Sequence, residues 1–286
     1  MQTRNKILFL ILLLCFGACG TKDETKSMTG IPTALPKVSK ETEGILQKVF
    51  PGALTGPEFS DSLINYVSKK YSGSTDKMLL GVSTCVDDII YTKNFHMHPE
   101  IKGPFHLGGL GGLPFTGISG LEAFAHHVPE GGTMVLLITP HIGYSEGKGW
   151  GYVLRHEQLE PSTCCGALMG TLGKVEKGTI TPGITEEDYQ GGKIGELALA
   201  HQTEILGAEN PIIELTKLTS REAERQIRAH VLDVTTVHMN YIVIITGVMI
   251  NTDFSYSDYI SVEHFMVYDV RQKKFVEDVK KPLSLK

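Results

Sequence analysis

The stretch MLLGVSTCVDD, residues 78–88, decides the predicted fold of this chain. Its apolar part, Met78 to Thr84, reads as a strand buried on both faces of a parallel sheet. The strand leads directly into Cys85, and Asp87 follows two residues later. A second apolar run, residues 133–139, is followed by Pro140 and His141. Both runs therefore predict core strands with chemically active side chains at their carboxyl ends.

The flanking sequence predicts helices and further strands around these two runs. Helical spacing of apolar residues or helix-forming composition is found at residues 42–50, 58–71, 119–127, 165–173, 186–206 and 220–232. The glycine-rich segment 103–117 predicts a loop, and the segments 241–251 and 259–270 predict late strands. Strands joined by long helical connections indicate a single α/β domain with a largely parallel central sheet flanked by helices. Sites in such folds collect beyond the carboxyl ends of the strands.

The N-terminus has the pattern of a secretory signal. Two basic residues precede an apolar segment at 7–18, which is shorter than the roughly 20 residues that a transmembrane helix needs. Residues 16–19 read FGAC and resemble a bacterial lipobox, which predicts lipid attachment at Cys19 and a membrane-anchored protein on the periplasmic or extracellular face. An ordinary secretory signal with an incidental cysteine is the alternative. The predicted parts are a signal peptide at 1–18, a flexible spacer at 19–41 and one domain at 42–286.

Charge and cysteine content narrow the classes of function. The net charge is −5 and the basic residues form no stripe, so nucleic acid is excluded as a predicted partner. Beyond the signal and Cys19, the chain has three cysteines, Cys85, Cys164 and Cys165. They could ligate a metal ion, or Cys85 could form a disulfide with Cys164 or Cys165 and leave one buried thiol.

Cys85, His141 and Cys165 have the chemistry of a catalytic zinc site. Two thiolates and one imidazole would leave a fourth position for water, and Asp87 could orient that water or become the fourth ligand. Two other histidine pairs could compete with His141. They are His96 with His98, and His126 with His127.

Several longer motifs resemble one known family. The segments LGGLGGLPFTG at 107–117, AFAHHVP at 123–129, PHIG at 140–143, CGA at 165–167 and GVMINT at 247–252 with SDY at 257–259 are similar to the limiting CO2-inducible protein B/C family of β-type carbonic anhydrases. The resemblance extends over roughly residues 45–270 and preserves the order of the motifs.

The resemblance implies a β-carbonic-anhydrase-like domain, usually dimeric, that binds Zn²⁺ through Cys85, His141 and Cys165. Asp87 would lie beside the metal-bound water, and the reaction would interconvert CO2 and bicarbonate. In the family, an arginine a few residues after the aspartate holds that aspartate away from the metal. Residues 88–93 read DIIYTK and contain no arginine. Arg155, Lys93 and Tyr91 are the candidates to replace it.

Three functions are consistent with these residues. The first is a lipid-anchored zinc carbonic anhydrase, expected as a homodimer. The second is a catalytically weak or inactive zinc-binding scaffold or sensor of the same fold, motivated by the missing arginine. The third is a thiol hydrolase in which Cys85 or Cys165 is the nucleophile and His141 or His127 is the base.

Overall fold

The computed structural model of the protein describes residues 35–87, 89 and 101–280. The helices are α1 (Lys40–Val49), α2 (Gly56–Val67), α3 (Gly117–His126), α4 (Gly166–Glu176), α5 (Tyr189–Ala200), α6 (Gln202–Gly207) and α7 (Pro211–Leu232). The strands are β1 (Leu54–Thr55), β2 (Met78–Thr84), β3 (Lys102–His106), β4 (Thr133–Thr139), β5 (His141–Ser145), β6 (Gly149–Trp150), β7 (Tyr152–Val153), β8 (Ser162–Thr163), β9 (Tyr241–Thr252), β10 (Tyr259–Asp269) and β11 (Lys274–Lys280). Among these helices, none has both the length and the apolar character needed to cross a bilayer.

The central sheet confirms the predicted α/β class. Its strand order is β1-β10-β9-β4-β2-β3, and the neighbouring strands β3, β2, β4 and β9 run parallel. The antiparallel part lies on the far side of β9, where β10 pairs with β9 and then with β1 and β11. The short strand β5 pairs in parallel with the end of β9 and forms an antiparallel pair with β6. A separate two-stranded ribbon consists of β7 and β8.

Strand β4 shows why the apolar runs at 78–84 and 133–139 do not alternate with charged residues. All seven of its residues are buried, and alternate side chains enter different cores because successive residues of a strand face opposite sides of the sheet. Leu136 and Ile138 belong to the core that contains residues of α3, α4 and α7. Val135 and Leu137 belong to the core on the other face, together with Leu63 of α2. The sheet is therefore covered by helices on both faces, as the sequence pattern predicts.

Several elements differ from the sequence prediction. Helix α7 begins at Pro211 instead of residue 220, with proline in the first helical turn where no backbone N–H is needed. The helix predicted at 186–206 is divided into α5 and α6 at His201, whose backbone is not helical. The predicted loop 103–117 overlaps the strand β3, which tolerates Gly103 and Pro104 because it lies at the edge of the sheet. Strand β11 was not predicted, since it is mostly exposed and carries four charged residues, Lys274, Glu277, Asp278 and Lys280.

The N-terminal predictions lie mostly outside the described residues. These include the signal peptide at 1–18 and the lipidated Cys19. Helix α1 begins at Lys40, where the Ser39 side chain accepts a hydrogen bond from the Thr42 N–H, so the last two residues of the predicted spacer are helical. The backbone carbonyls of Leu35 and Pro36 accept hydrogen bonds from the side chain and backbone of Ser257. The end of the predicted spacer is thus packed against the turn between β9 and β10.

Candidate metal centre

The two core strands place Cys85 and His141 at the same edge of the sheet. Thr84 and Thr139 are register partners at the carboxyl ends of β2 and β4. Cys85 is the next residue after β2, and His141 opens β5 immediately after Pro140. Both side chains are buried, at 2% and 0% exposure. Parallel pairing of two apolar strands is therefore sufficient to bring these two ligand types together.

Cys165 reaches the same place from the N-terminus of helix α4. It is the residue before the first turn of α4, and it is 1% exposed. Its sulfur lies 3.6 Å from the Cys85 sulfur. One ligand atom each from Cys85, His141 and Cys165 lies within 4.8 Å of the other two. The structure thus brings together the three predicted metal ligands, and they could hold a metal ion.

The ring of His141 fits this interpretation. Its Nδ1 atom lies 2.8 Å from the Asn251 Oδ1 atom. Its Nε2 atom is fully buried and makes no hydrogen bond to any described residue. A buried polar atom without a partner is costly, because it has lost its hydrogen bonds to water. A metal ion bound to Nε2 would satisfy this atom, and the two sulfurs are soft ligands of the kind that zinc accepts.

The contact between the two sulfurs shifts their pKa values in opposite directions. The hydrogen bond from Cys85 lowers the pKa of Cys165, backbone N–H groups of Leu168 and Ala167 lower it further, and burial opposes them. The same contact with Cys165, together with burial, raises the pKa of Cys85. Cys165 is therefore the more acidic of the two thiols. A metal ion that binds both sulfurs must displace their protons, so its affinity will increase with pH.

Asp87 lies beside the cluster and has an arginine partner. The Arg155 Nη2 atom donates to the Asp87 Oδ1 atom at 2.9 Å, and the Ile89 N–H approaches the same oxygen at 3.3 Å. The other oxygen, Oδ2, lies 3.9 Å from the His141 Nε2 atom. Asp87 therefore has an arginine partner that comes from outside residues 88–93. Arg155, one of the three candidates, occupies this position, whereas Lys93 and Tyr91 lie outside the described residues.

The segment between His141 and Cys165 explains how Arg155 reaches Asp87. Arg155 follows β7, and its guanidinium also donates to the Ser162 Oγ atom at 2.7 Å and to the Thr163 carbonyl at 3.2 Å, both in β8. The preceding backbone is fixed because the Leu154 N–H donates to the Asp253 carboxylate at 2.8 Å. The β7–β8 ribbon thus supplies the arginine and then leads into Cys165.

The glycine-rich loop packs across the ends of β2 and β4. A side-chain carbon at Gly108 would overlap the Thr84 carbonyl, and one at Gly112 would lie 2.9 Å from the Pro140 Cα atom. Gly112 also has a φ of +78°, which favours glycine. The Ser83 hydroxyl donates to the Gly112 carbonyl at 2.9 Å. These contacts cover the edge of the sheet from which Cys85 and His141 emerge.

The other candidates from the sequence analysis do not replace Cys85, His141 or Cys165 in the cluster. Cys85, Cys164 and Cys165 are all free thiols, so neither alternative disulfide is present. Cys164 is buried with its sulfur 3.5 Å from the His141 Nδ1 atom, and it forms a second metal-capable group with Asp87 and His141. His126 and His127 are exposed at the C-terminal end of α3, and the His127 ring lies 6.2 Å from that of Phe105 in β3. His96 and His98 lie outside the described residues.

Two residues near the cluster were given no role by the sequence analysis, although both lie in segments that carry the family resemblance. Asn251 is fully buried beside His141, and Asp258 is buried beside Asn251. A polar residue that ends a long apolar strand, as Asn251 ends the run from Tyr241, is the signal that could have identified it.

Comparisons with known proteins identify the family and support the fold. Residues 54–269 match the family model described as limiting CO2-inducible proteins B/C beta carbonic anhydrases. The crystal structure of PtLCIB4, a homolog of the limiting CO2-inducible protein LCIB, has 25% sequence identity and a TM-score of 0.73, covering 82% of this chain and 99% of that one. The structure of LCIB itself has 17% identity and a TM-score of 0.59, covering 85% and 100%, and it shows similarity of fold. A search of curated proteins found no match.

Proposed function

The chain belongs to the limiting CO2-inducible protein B/C family of β carbonic anhydrases, and from this premise we propose that it is a zinc-dependent enzyme that interconverts CO2 and bicarbonate. Cys85, His141 and Cys165 would hold the ion. A bound zinc ion would lower the pKa of a water molecule from 15.7 to about 7, which makes hydroxide available at neutral pH. Three protein ligands leave one coordination position for that water.

The observation that carries this proposal is the contact between Asp87 and Arg155. Arg155 and the Ile89 N–H both engage the Oδ1 atom of Asp87. The Oδ2 atom lies 3.9 Å from the Nε2 atom of His141, so it would be near a water bound to a metal ion at that nitrogen and could accept its hydrogen bond. Asp87 would hold the proton of that water away from CO2, so that an oxygen lone pair faces the substrate. Arg155 would keep the carboxylate in this orientation instead of letting it become a fourth ligand.

This contact also bears on the competing functions. The inactive scaffold was motivated by a missing arginine, and Arg155 removes that motive. A thiol hydrolase would need a sulfur that substrate can approach, but Cys85 and Cys165 are at most 2% exposed. His127 is exposed and its ring lies 6.2 Å from that of Phe105 in β3, whereas both sulfurs are buried. Carbonic anhydrase activity therefore explains more of the site than either alternative.

Metal analysis and stopped-flow CO2 hydration test the proposal together. We expect about one zinc ion per wild-type chain, and loss of zinc in the Cys85→Ser, His141→Ala and Cys165→Ser variants. His126→Ala is the control, since His126 is exposed at the end of α3 and outside the proposed ligand set, and it should retain zinc. Hydration of CO2 above the buffer rate by the zinc-loaded wild type supports the enzyme. Stoichiometric zinc without hydration would favour the scaffold, and absence of zinc would reject both.

The membrane tether and the quaternary structure are proposed on other grounds. Lipid attachment at Cys19 and export to the periplasmic or extracellular face follow from the N-terminal sequence alone. A homodimer follows from the family resemblance. Both stay predictions.

A further inference from the structure

A chain of buried hydrogen bonds connects His141 to a carboxylate on the far side of Asn251. The His141 Nδ1 atom lies 2.8 Å from the Asn251 Oδ1 atom. The Asn251 Nδ2 atom donates to the Asp258 Oδ2 atom at 3.0 Å. The other carboxylate oxygen, Oδ1, accepts the Thr252 N–H at 2.9 Å. His141 and Asn251 are fully buried, and Asp258 is 8% exposed.

The hydrogen-bonding capacities of these groups give the chain one direction. An ionised carboxylate only accepts hydrogen bonds, so Asp258 requires the NH2 group of Asn251 to face it. The amide oxygen must then face His141, and an oxygen can only accept. The proton of the imidazole is therefore held on Nδ1. The lone pair is left on Nε2, which is the buried ring nitrogen without a partner.

A second contact reinforces the orientation of the amide. The Cys164 thiol donates to the same Asn251 Oδ1 atom at 3.7 Å, a distance within the longer range of sulfur hydrogen bonds. If the amide were reversed, its oxygen would face the Asp258 carboxylate and its NH2 group would face both Cys164 and His141. The Nδ1 atom would then have to accept a hydrogen bond from the Asn251 NH2 group. The imidazole proton would lie on Nε2, where it would prevent a metal ion from binding.

We propose that Asp258, acting through Asn251, is a positioning residue that fixes the Nδ1-protonated form of His141 and so keeps Nε2 available as the metal-binding nitrogen. The inference rests on the proposed zinc site. It assigns a role to the segments 247–252 and 257–259, which carry part of the family resemblance but contribute none of the proposed metal ligands. Mutation of a residue that hydrogen-bonds to a metal-ligating histidine typically weakens metal binding by about 10- to 100-fold.

Exchange of the two side chains gives a sharp test. The Asp258→Asn variant keeps the shape of the site, but the Thr252 N–H holds the new amide oxygen, so the NH2 group at position 258 faces Asn251. The Asn251 amide then turns its oxygen toward position 258 and its NH2 group toward His141, which reverses the direction of the chain. In the double variant Asn251→Asp/Asp258→Asn, the amide at 258 donates to the new carboxylate at 251, which can only accept from His141. The direction is restored with the same set of atoms. The matched control is Asp269→Asn, because Asp269 is equally buried at the other end of β10, where it caps the turn at Gln272.

The readouts are zinc affinity by chelator competition and the Nδ1 proton of His141 in a proton–nitrogen NMR spectrum of the zinc-loaded protein. We expect Asp258→Asn to bind zinc 10- to 100-fold more weakly, and the double variant and Asp269→Asn to remain within about threefold of wild type. The Nδ1 proton should be visible in wild type and in the double variant. Thermal melting of the metal-free proteins checks that each variant is folded.

Two results would overturn the inference. One is an Asp258→Asn variant that binds zinc as tightly as wild type. The other is a folded double variant whose zinc affinity remains more than tenfold below that of wild type. If the Asp258→Asn variant does not fold, the double variant alone decides the question. If wild type itself binds no zinc, the proposed function fails first, so the two failures are distinguishable.

Discussion

At the scale of single residues, the Asp87 carboxylate is the group whose environment decides between an enzyme and a closed metal site. Its side chain is 12% exposed, and that of Arg155 is 18% exposed. An ion pair of this kind is shielded from water and therefore stronger than a surface pair. The pair holds one carboxylate oxygen, and the other lies 3.9 Å from the His141 Nε2 atom, where it would be close to a metal-bound water.

Arg155→Ala is expected to separate catalysis from metal binding. Without the guanidinium, the Oδ1 atom of Asp87 loses the charge of Arg155 and the carboxylate could turn toward a bound metal ion. The kcat for CO2 hydration should then fall about 100-fold, the scale of a positioned proton acceptor. Zinc content should be unchanged, because Arg155 is not a ligand.

Arg225→Ala is the control for this prediction, since Arg225 is 68% exposed and pairs with Glu222 at the surface of α7. Stopped-flow kinetics and metal analysis on the same samples provide the measurement. Unaltered turnover in the Arg155→Ala variant would show that the ion pair has no catalytic role.

At the scale of secondary structure, the ends of β2 and β4 could be predicted and the approach of α4 could not. Continuous apolar runs identify the two strands, and parallel pairing places Cys85 and His141 at one edge. Cys165 and Arg155 depend on the path of the β7–β8 ribbon, which is set by hydrogen bonds such as that between Leu154 and Asp253. These contacts join residues about 100 positions apart, and no local periodicity encodes them.

The glycine-rich loop provides a prediction at this scale. Gly108→Ala would drive a methyl group into the Thr84 backbone at the end of β2. Because backbone cannot move aside as a flexible side chain can, we expect a loss of about 1–3 kcal/mol in the free energy of unfolding and weaker zinc binding by the displaced Cys85.

Gly170→Ala is the matched control, since Gly170 lies in α4 with open space around it. Alanine there should leave stability unchanged or increase it by up to about 1 kcal/mol. Chemical denaturation with metal analysis measures both effects. Equal stability of the two variants would mean that the loop is not tightly packed against β2.

At the scale of the whole molecule, the fold brings three distant segments to one point. The parallel core could be predicted from its buried strands, whereas the edges could not. Strand β3 contains Gly103 and Pro104, and β11 alternates half-buried and exposed residues without a strong apolar pattern. Edge strands need less burial than central ones, so their sequences carry a weaker signal. The site lies at the well-predicted centre of the sheet, which is why its sulfur and imidazole groups could be proposed before their geometry was known.

Zinc K-edge X-ray absorption of the purified wild-type protein tests the central claim most directly. The account predicts two sulfur ligands at about 2.3 Å and one imidazole nitrogen at about 2.0–2.1 Å, with a single oxygen completing a four-coordinate ion. Replacement of His141 by alanine should remove the imidazole contribution from any zinc that remains. A spectrum without sulfur ligands, or protein that contains no zinc and a Cys85–Cys165 disulfide, would contradict it.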